Sequence, residues 1–90
     1  MDKAEKDDLR ARLKRIAGQV GGIQRMLDDD RADLDVVMQV SAARAALAKV
    51  GRLLLHEHIV ASLAAIARQD SATRRPSTDE LLRWLELCDL

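Results

Sequence analysis

The sequence predicts an all-α protein, and three features of the chain support this fold class. Apolar residues recur at alternating intervals of four and three along two long segments, as they do along one side of a helix. The single proline of the chain, Pro76, follows both segments and interrupts neither. A shorter amphipathic segment comes after that proline and predicts one more helix.

The first predicted helix covers about residues 6–29. Its apolar stripe consists of Leu9, Leu13, Ile16, Val20, Ile23 and Leu27. A stripe with this spacing favours the packing of one helix against another. Gly18, Gly21 and Gly22 each destabilise the middle of a helix by about 1 kcal/mol relative to alanine. We therefore expect these glycines to permit close approach of the backbone to another helix or to DNA.

The second predicted helix is longer and covers about residues 33–67. Its first apolar stripe consists of Val36, Val40, Ala43, Leu47, Val50 and Leu54. A further row, displaced around the helix, consists of Leu55, Ile59, Leu63 and Ile66. Such a helix measures about 50 Å, which exceeds the width of a globule of this size. We expect the distal row to face water unless another chain covers it, so the sequence predicts an oligomer.

The third predicted helix covers about residues 78–88 and follows a polar linker at residues 69–77. Ser77 and Glu80 have the spacing of a capping box, which is typical of the start of a helix. The apolar side of this helix consists of Leu81, Leu82, Trp84, Leu85 and Cys88.

The length and composition of the chain limit how it is stabilised and where it functions. We expect its 90 residues to form a single domain. A domain of this size buries only about 60% of the surface that its unfolded chain exposes, so an isolated monomer is marginally stable. Cys88 is the only cysteine, which excludes an internal disulfide and leaves oligomerisation as the common means of stabilisation. The sequence has no apolar run of membrane-spanning length and no secretory signal, so we expect a cytoplasmic protein without a membrane partner.

Positive charges are concentrated in two segments of the chain, although the formal net charge is zero. The ionisable residues between Leu9 and Leu27 are all basic, and they are Arg10, Arg12, Lys14, Arg15 and Arg25. The second segment without acids, residues 36–55, contains Arg44, Lys49 and Arg52. If folding brings these cations to one face, that face attracts phosphate groups. The alternative is that they lie on ordinary solvated helix faces.

The sequence lacks the features of an enzyme. It has no glycine-rich phosphate loop and no arrangement of Cys and His, or of Ser, His and Asp, for nucleophilic catalysis. A chain of this length also offers little volume for a cleft. Two classes of function remain, a DNA-binding protein and a helical oligomer that binds other proteins.

Three segments of the chain carry a family resemblance. Residues 12–27 read RLKRIAGQVGGIQRML, residues 35–47 read DVVMQVSAARAAL, and residues 55–58 read LHEH. In this order they resemble the first helix and two parts of the second helix of the CsoR/RcnR/FrmR family of bacterial repressors.

The resemblance implies a three-helix protomer that forms an antiparallel four-helix-bundle dimer, with dimers pairing into tetramers. It also implies binding of operator DNA through cationic residues of the first two helices. By position, the DNA contacts of the family fall on Arg12 and Lys49. Charge alone adds Lys14, Arg15, Arg44 and Arg52 as candidates.

The metal-binding positions of copper sensors in this family fall on Asp33, His58 and Ser62. A carboxylate and a hydroxyl stand where those sensors have cysteines, and Cu(I) prefers thiolate or thioether ligands, so we expect no Cu(I) sensing. Asp33 and His58 offer oxygen and nitrogen ligands, which leaves a sensor of Zn(II), Ni(II) or Co(II) as an alternative. A second alternative is a helical interaction protein that has lost both sensing and operator binding. The sequence identifies no inducer.

Overall fold

The computed structural model of the chain describes residues 1–68 and 78–87. This part contains three α-helices and no β-strand: α1 is Lys3–Asp28, α2 is Asp33–Arg68 and α3 is Thr78–Leu87. The predicted all-α class is therefore confirmed. The segment expected to be a linker, residues 69–77, and Cys88 at the expected end of the last helix lie outside the described residues.

A capping box determines where α1 begins. The backbone N–H of Glu5 donates to Oδ1 of Asp2 at 2.8 Å. In return, the backbone N–H of Asp2 donates to Oε2 of Glu5 at 3.2 Å. These two hydrogen bonds satisfy N–H groups that have no partner within a helix. For this reason α1 begins at Lys3, three residues before the position expected from the apolar stripe.

The end of α1 is fixed by main-chain hydrogen bonds around Asp30, which has the left-handed φ of 54°. The N–H of Arg31 donates to the carbonyl of Met26 at 3.0 Å, and the N–H of Asp30 donates to the carbonyl of Leu27 at 3.2 Å. This pair of bonds is a Schellman motif, which satisfies carbonyls of the last turn. Aspartate tolerates the left-handed conformation better than most residues, so the acidic run after α1 suits a tight connection to α2.

The chain divides into two compact units, residues 1–50 and residues beyond 50, so α2 contributes to both. In the first unit, α1 packs against the first part of α2. The buried apolar residues of this unit are Ile16, Ala43 and Val50, each of which is 6% exposed. This small core contains residues of both predicted stripes. The stripes therefore mark the contact between the two helices.

Along each stripe of the first unit, buried or half-buried residues alternate with exposed ones. Ile16 is buried, whereas its stripe neighbours Leu13 and Val20 are each 45% exposed. On α2, Ala43 is buried and its stripe neighbours Val40 and Leu47 are each 49% exposed. A helix that packs against one neighbour covers one side of a wide stripe and leaves the other side open. The first unit therefore has an open apolar face, defined here by Leu13, Val20, Val40 and Leu47.

In the second unit, the buried side of α2 differs from the expected row. Leu55, Ser62 and Ala65 are buried, at 7%, 8% and 0% exposure. The expectation that the distal row faces water unless another chain covers it is therefore wrong at Leu55. It holds at Leu63, which is 61% exposed. The reason is that positions four residues apart drift by about 40° per step around a helix, so one row spans two environments.

The side chain of Ile66, the last member of that row, lies outside the described part. Within the described residues, no helix combines the length and the apolar character needed to cross a membrane.

Candidate nucleic-acid interface

A cavity of about 180 Å³ lies between α1 and α2 in the first unit. Its lining consists of Arg12, Arg15, Ile16, Gln19, Ala46 and Lys49. We call this cavity the basic groove, because three of its six lining residues are cationic and none is acidic. Three of the DNA-binding candidates from the sequence are thereby brought together: Arg12, Arg15 and Lys49.

The periodicity of the two helices explains which side chains meet in the basic groove. Arg12, Arg15 and Gln19 are separated by three and four residues, so they lie on one side of α1. Ala46 and Lys49 are three residues apart and lie on one side of α2. Ile16 is buried in the core next to this side of α1. The small side chain of Ala46 leaves room for the long side chains around it.

Arg12 is held by a residue one turn earlier on the same helix. Its Nε donates to Oδ2 of Asp8 at 2.9 Å. The Arg12 side chain is 34% exposed and that of Asp8 is 55% exposed. The contact occupies Nε and does not use the two terminal amino groups of the guanidinium, which suit bidentate binding of phosphate.

The electrostatics of the basic groove favour an anion. Arg12, Arg15 and Lys49 come from two different helices and surround one cavity, and the residues at positions 15 and 49 are exposed to solvent. Like charges repel one another, and phosphate oxygens reduce that repulsion while they accept charge-assisted hydrogen bonds. Gln19 adds an amide that both donates and accepts hydrogen bonds.

The other cationic candidates do not line the basic groove. Lys14 is two residues from Arg12, which places it about 160° away around α1. Arg44 is five residues from Lys49, which places it about 140° away around α2. Arg52 belongs to the second unit. Lys14 and Arg44 are therefore not among the residues that line the basic groove.

Two groove-associated residues, Gln19 and Asp8, were missed by analysis of the sequence. Gln19 is seven residues from Arg12, a spacing of two helical turns that returns to nearly the same side. Asp8 is four residues before Arg12, the spacing at which an acid and a base meet on a helix. Gln19 is neutral and Asp8 is acidic, so a pattern of cations includes neither, although both spacings are visible in the sequence.

The three positions that match the family's metal ligands lie in different surroundings. Asp33 is the first residue of α2, is exposed and belongs to the first unit. His58 is exposed and Ser62 is buried, and both belong to the second unit. The Ser62 hydroxyl donates to the main-chain carbonyl of His58 at 2.8 Å. The described residues contain no group of three or more His, Cys, Asp or Glu side chains arranged to hold a metal ion.

The glycines of α1 are not in close contact with another helix of the described chain. A Cβ atom built at Gly18 has no neighbour within 4 Å. At Gly21 and Gly22 the nearest atoms belong to the guanidinium of Arg25, at 3.6 and 3.7 Å. The close approach that we expected to another helix is therefore not found in the described part of this chain, and approach to DNA or to a partner chain stays a prediction.

Comparison with known proteins relates the chain to a group of regulators. Residues 5–86 match the family described as metal-sensitive transcriptional repressor. The chain is 50% identical over 54 residues to the copper-sensing transcriptional repressor CsoR of Bacillus subtilis (strain 168), covering 60% of this chain and 54% of that protein. It is 46% identical over 55 residues to the copper-sensing transcriptional repressor RicR of Mycobacterium tuberculosis (strain ATCC 25618 / H37Rv), covering 61% and 57%.

The copper-sensing transcriptional repressor CsoR of the same Mycobacterium tuberculosis strain is 42% identical over 48 residues, covering 53% of this chain and 40% of that protein. The chain thus spans about half the length of the curated relatives it matches. No solved structure matches it.

Proposed function

Because the chain belongs to the family of metal-sensitive transcriptional repressors, we propose that it represses transcription by binding operator DNA through the basic groove. The family is one of repressors and not of enzymes, so the prediction that the chain is not an enzyme is confirmed. The proposal assigns the DNA contacts of each protomer to Arg12, Arg15 and Lys49.

The observation that supports this proposal is the convergence of these three cations on one cavity. Like-charged side chains that are neighbours on a helix repel one another and are destabilising. Here a segment of α1 without acids meets a segment of α2 without acids, and their cations line a shared concave surface. Such a surface binds a polyanion more strongly than the zero net charge of the chain suggests, because local potential decides the attraction.

We also propose that the protein acts as an oligomer. The open apolar face consists of Leu13, Val20, Val40 and Leu47, which are 45% to 49% exposed in a single chain. A second protomer that packs its own apolar face here forms an antiparallel four-helix bundle, and two dimers then pair into a tetramer. Each added protomer brings one more basic groove, so an oligomer binds DNA with several grooves at once.

The proposed repressor does not sense Cu(I) at the positions that bind copper in the family. Ser62 supplies a hydroxyl that is buried and donates to the carbonyl of His58. Asp33 supplies a carboxylate, which is a hard ligand. Without a thiolate at either position, the affinity for a soft ion is low. The copper-sensing role in the names of the relatives is therefore not part of the proposal for this chain.

Binding to DNA from the protein's own promoter, measured at several salt concentrations, tests the proposal. Each phosphate contact that releases a counterion contributes about −0.9 to the slope of log K against log salt. Three cations therefore contribute about −2.7 for each groove that engages DNA. A fragment of equal length and shuffled sequence is the control. A helical interaction protein that has lost operator binding would bind neither fragment, and this result would contradict the proposal.

A further inference from the structure

The hydrogen bond between Arg12 and Asp8 lies at the edge of the basic groove and places a carboxylate beside its cations. The Arg12 Nε and Asp8 Oδ2 are 2.9 Å apart. An exposed ion pair four residues apart contributes little to the stability of a helix. Its effect on the orientation of the Arg12 side chain is more relevant, because Arg12 lines the groove.

A carboxylate at Nε restricts the rotation of the guanidinium. The guanidinium is planar, and its donors form a rigid fork. When Nε is bonded to Asp8, the two terminal amino groups can still contact two oxygens of a phosphate, or the O6 and N7 atoms of a guanine. The side chain is then partly ordered before DNA arrives, so less conformational entropy is lost on binding.

The same carboxylate also opposes DNA binding, because its negative charge repels every phosphate backbone. This repulsion acts on DNA of any sequence. The ordered guanidinium of Arg12 favours only DNA whose hydrogen-bond acceptors lie where its donors point. The two effects therefore change the affinities for operator and for other DNA in different ways.

We propose that Asp8 is a positioning residue that orients Arg12 and thereby increases the preference of the basic groove for its operator over other DNA. This inference rests on the proposed function. Asp8 lowers the affinity for DNA in general, and at the operator alone its hydrogen bond to Arg12 more than offsets that loss.

The neighbouring acid, Asp7, provides a matched control. Oδ1 of Asp7 lies 3.8 Å from Nη1 of Arg10, whose side chain is 77% exposed. Arg10 does not line the basic groove. Replacing Asp7 or Asp8 by alanine removes the same charge from the same turn of α1. Only Asp8→Ala removes the hydrogen bond to Arg12. Alanine has a high helix propensity, so it favours the helix in both variants.

The experiment measures the dissociation constants of wild type, Asp7→Ala and Asp8→Ala for a promoter fragment and for a shuffled fragment of equal length. All measurements use the full chain at one salt concentration. We expect Asp7→Ala to bind both fragments slightly more tightly, with their ratio unchanged. We expect Asp8→Ala to bind the shuffled fragment at least as tightly as wild type and to lose roughly threefold in operator affinity for each engaged groove.

Arg12→Ala is then combined with Asp8→Ala to test whether Asp8 acts through Arg12. In the Arg12→Ala background, the Asp8 change should cause no further loss of operator preference, because the side chain that it orients is absent. Asp8→Asn retains an acceptor oxygen for Nε, and its operator preference should lie closer to that of wild type than the preference of Asp8→Ala does.

Three results would overturn the inference. If Asp8→Ala strengthens binding to both fragments as much as Asp7→Ala does, Asp8 only repels DNA, and the proposed function still stands. If Asp8→Ala lowers the preference for the operator as much in the Arg12→Ala background as in wild type, Asp8 does not act through Arg12. If wild type binds neither fragment, both this inference and the proposed function are wrong.

Discussion

The Ser62 hydroxyl and the main-chain carbonyl of His58 form a hydrogen bond of 2.8 Å along one turn of α2. Ser62 is only 8% exposed, so this bond gives a buried hydroxyl a partner within its own helix. The side chain thus has a structural explanation that involves no metal. Its position in the family resemblance and its local chemistry therefore point to different roles.

Copper binding tests whether Ser62 belongs to a metal site or has only a structural role. Wild-type protein should lose Cu(I) to a strong chelator, because Asp33, His58 and Ser62 provide no soft sulfur ligand. The double variant Asp33→Cys, Ser62→Cys should retain Cu(I) in the same competition, because thiolates then occupy two of the family's three copper-binding positions. Wild-type protein that holds Cu(I) against the chelator would contradict the proposed absence of copper sensing at this site.

A displaced cysteine provides the control for that gain of binding. Asp35 lies two residues after Asp33, so its side chain leaves α2 about 160° away. The variant Asp35→Cys, Ser62→Cys contains the same number of thiols and should bind Cu(I) less tightly. Equal binding by the two double variants would show that the thiols bind copper without the expected geometry.

Removal of the Arg12 side chain should weaken operator binding. We expect Arg12→Ala to cost more than about 1 kcal/mol per contact and to reduce the magnitude of the salt slope by about 1 per contact. Fluorescence anisotropy titrations at several salt concentrations measure both quantities. Circular dichroism should show unchanged helix content, because substitution of a surface residue shifts stability by about 0.5 kcal/mol or less.

Arg10→Ala is the matched control for the Arg12 change. Arg10 carries the same charge on the same helix, its side chain is 77% exposed, and it lies outside the basic groove. We expect operator affinity close to that of wild type. Equal losses in the two variants would indicate diffuse attraction by α1 and would contradict the assignment of DNA contacts to the groove.

The amide of Gln19 should contribute to affinity without contributing to the salt dependence. Gln19 lines the basic groove, and a neutral side chain releases no counterion when it hydrogen-bonds to DNA. Gln19→Ala should therefore weaken operator binding by about 1 kcal/mol while the salt slope stays constant. Gln24→Ala, at an exposed position of α1 outside the groove, should change neither. A wild-type affinity for Gln19→Ala would remove Gln19 from the interface.

The open apolar face should be required for assembly. Val20 is 45% exposed in a single chain, and burial of an unpaired carboxylate between protomers is strongly unfavourable. Val20→Glu should therefore shift the protein from an oligomer to monomers, or unfold it, at micromolar concentration. Light scattering coupled to size-exclusion chromatography measures the mass. Ala11→Glu, on the opposite side of α1, should leave the mass unchanged. A wild-type mass for Val20→Glu would contradict the proposed bundle.

Local patterns in the sequence were sufficient to predict the helices. The alternation of apolar residues from Leu9 to Leu27 predicts α1, because side chains three and four residues apart share one side of a helix. The resemblance pointed to Arg12 and Lys49, and charge pointed to Arg15. These predictions depend on residues close together along the chain.

Only the tertiary structure decided which of these residues meet. Leu13 and Ile16 belong to the same stripe, yet one is open and the other buried, because the rotation of α1 about its axis relative to α2 determines which side is covered. The rotation of each helix about its own axis places Gln19 of α1 and Lys49 of α2 in the lining of the basic groove and leaves Arg44 of α2 outside it. That rotation results from the packing of side chains on two helices against each other, whereas the periodicity of either helix alone is compatible with many rotations.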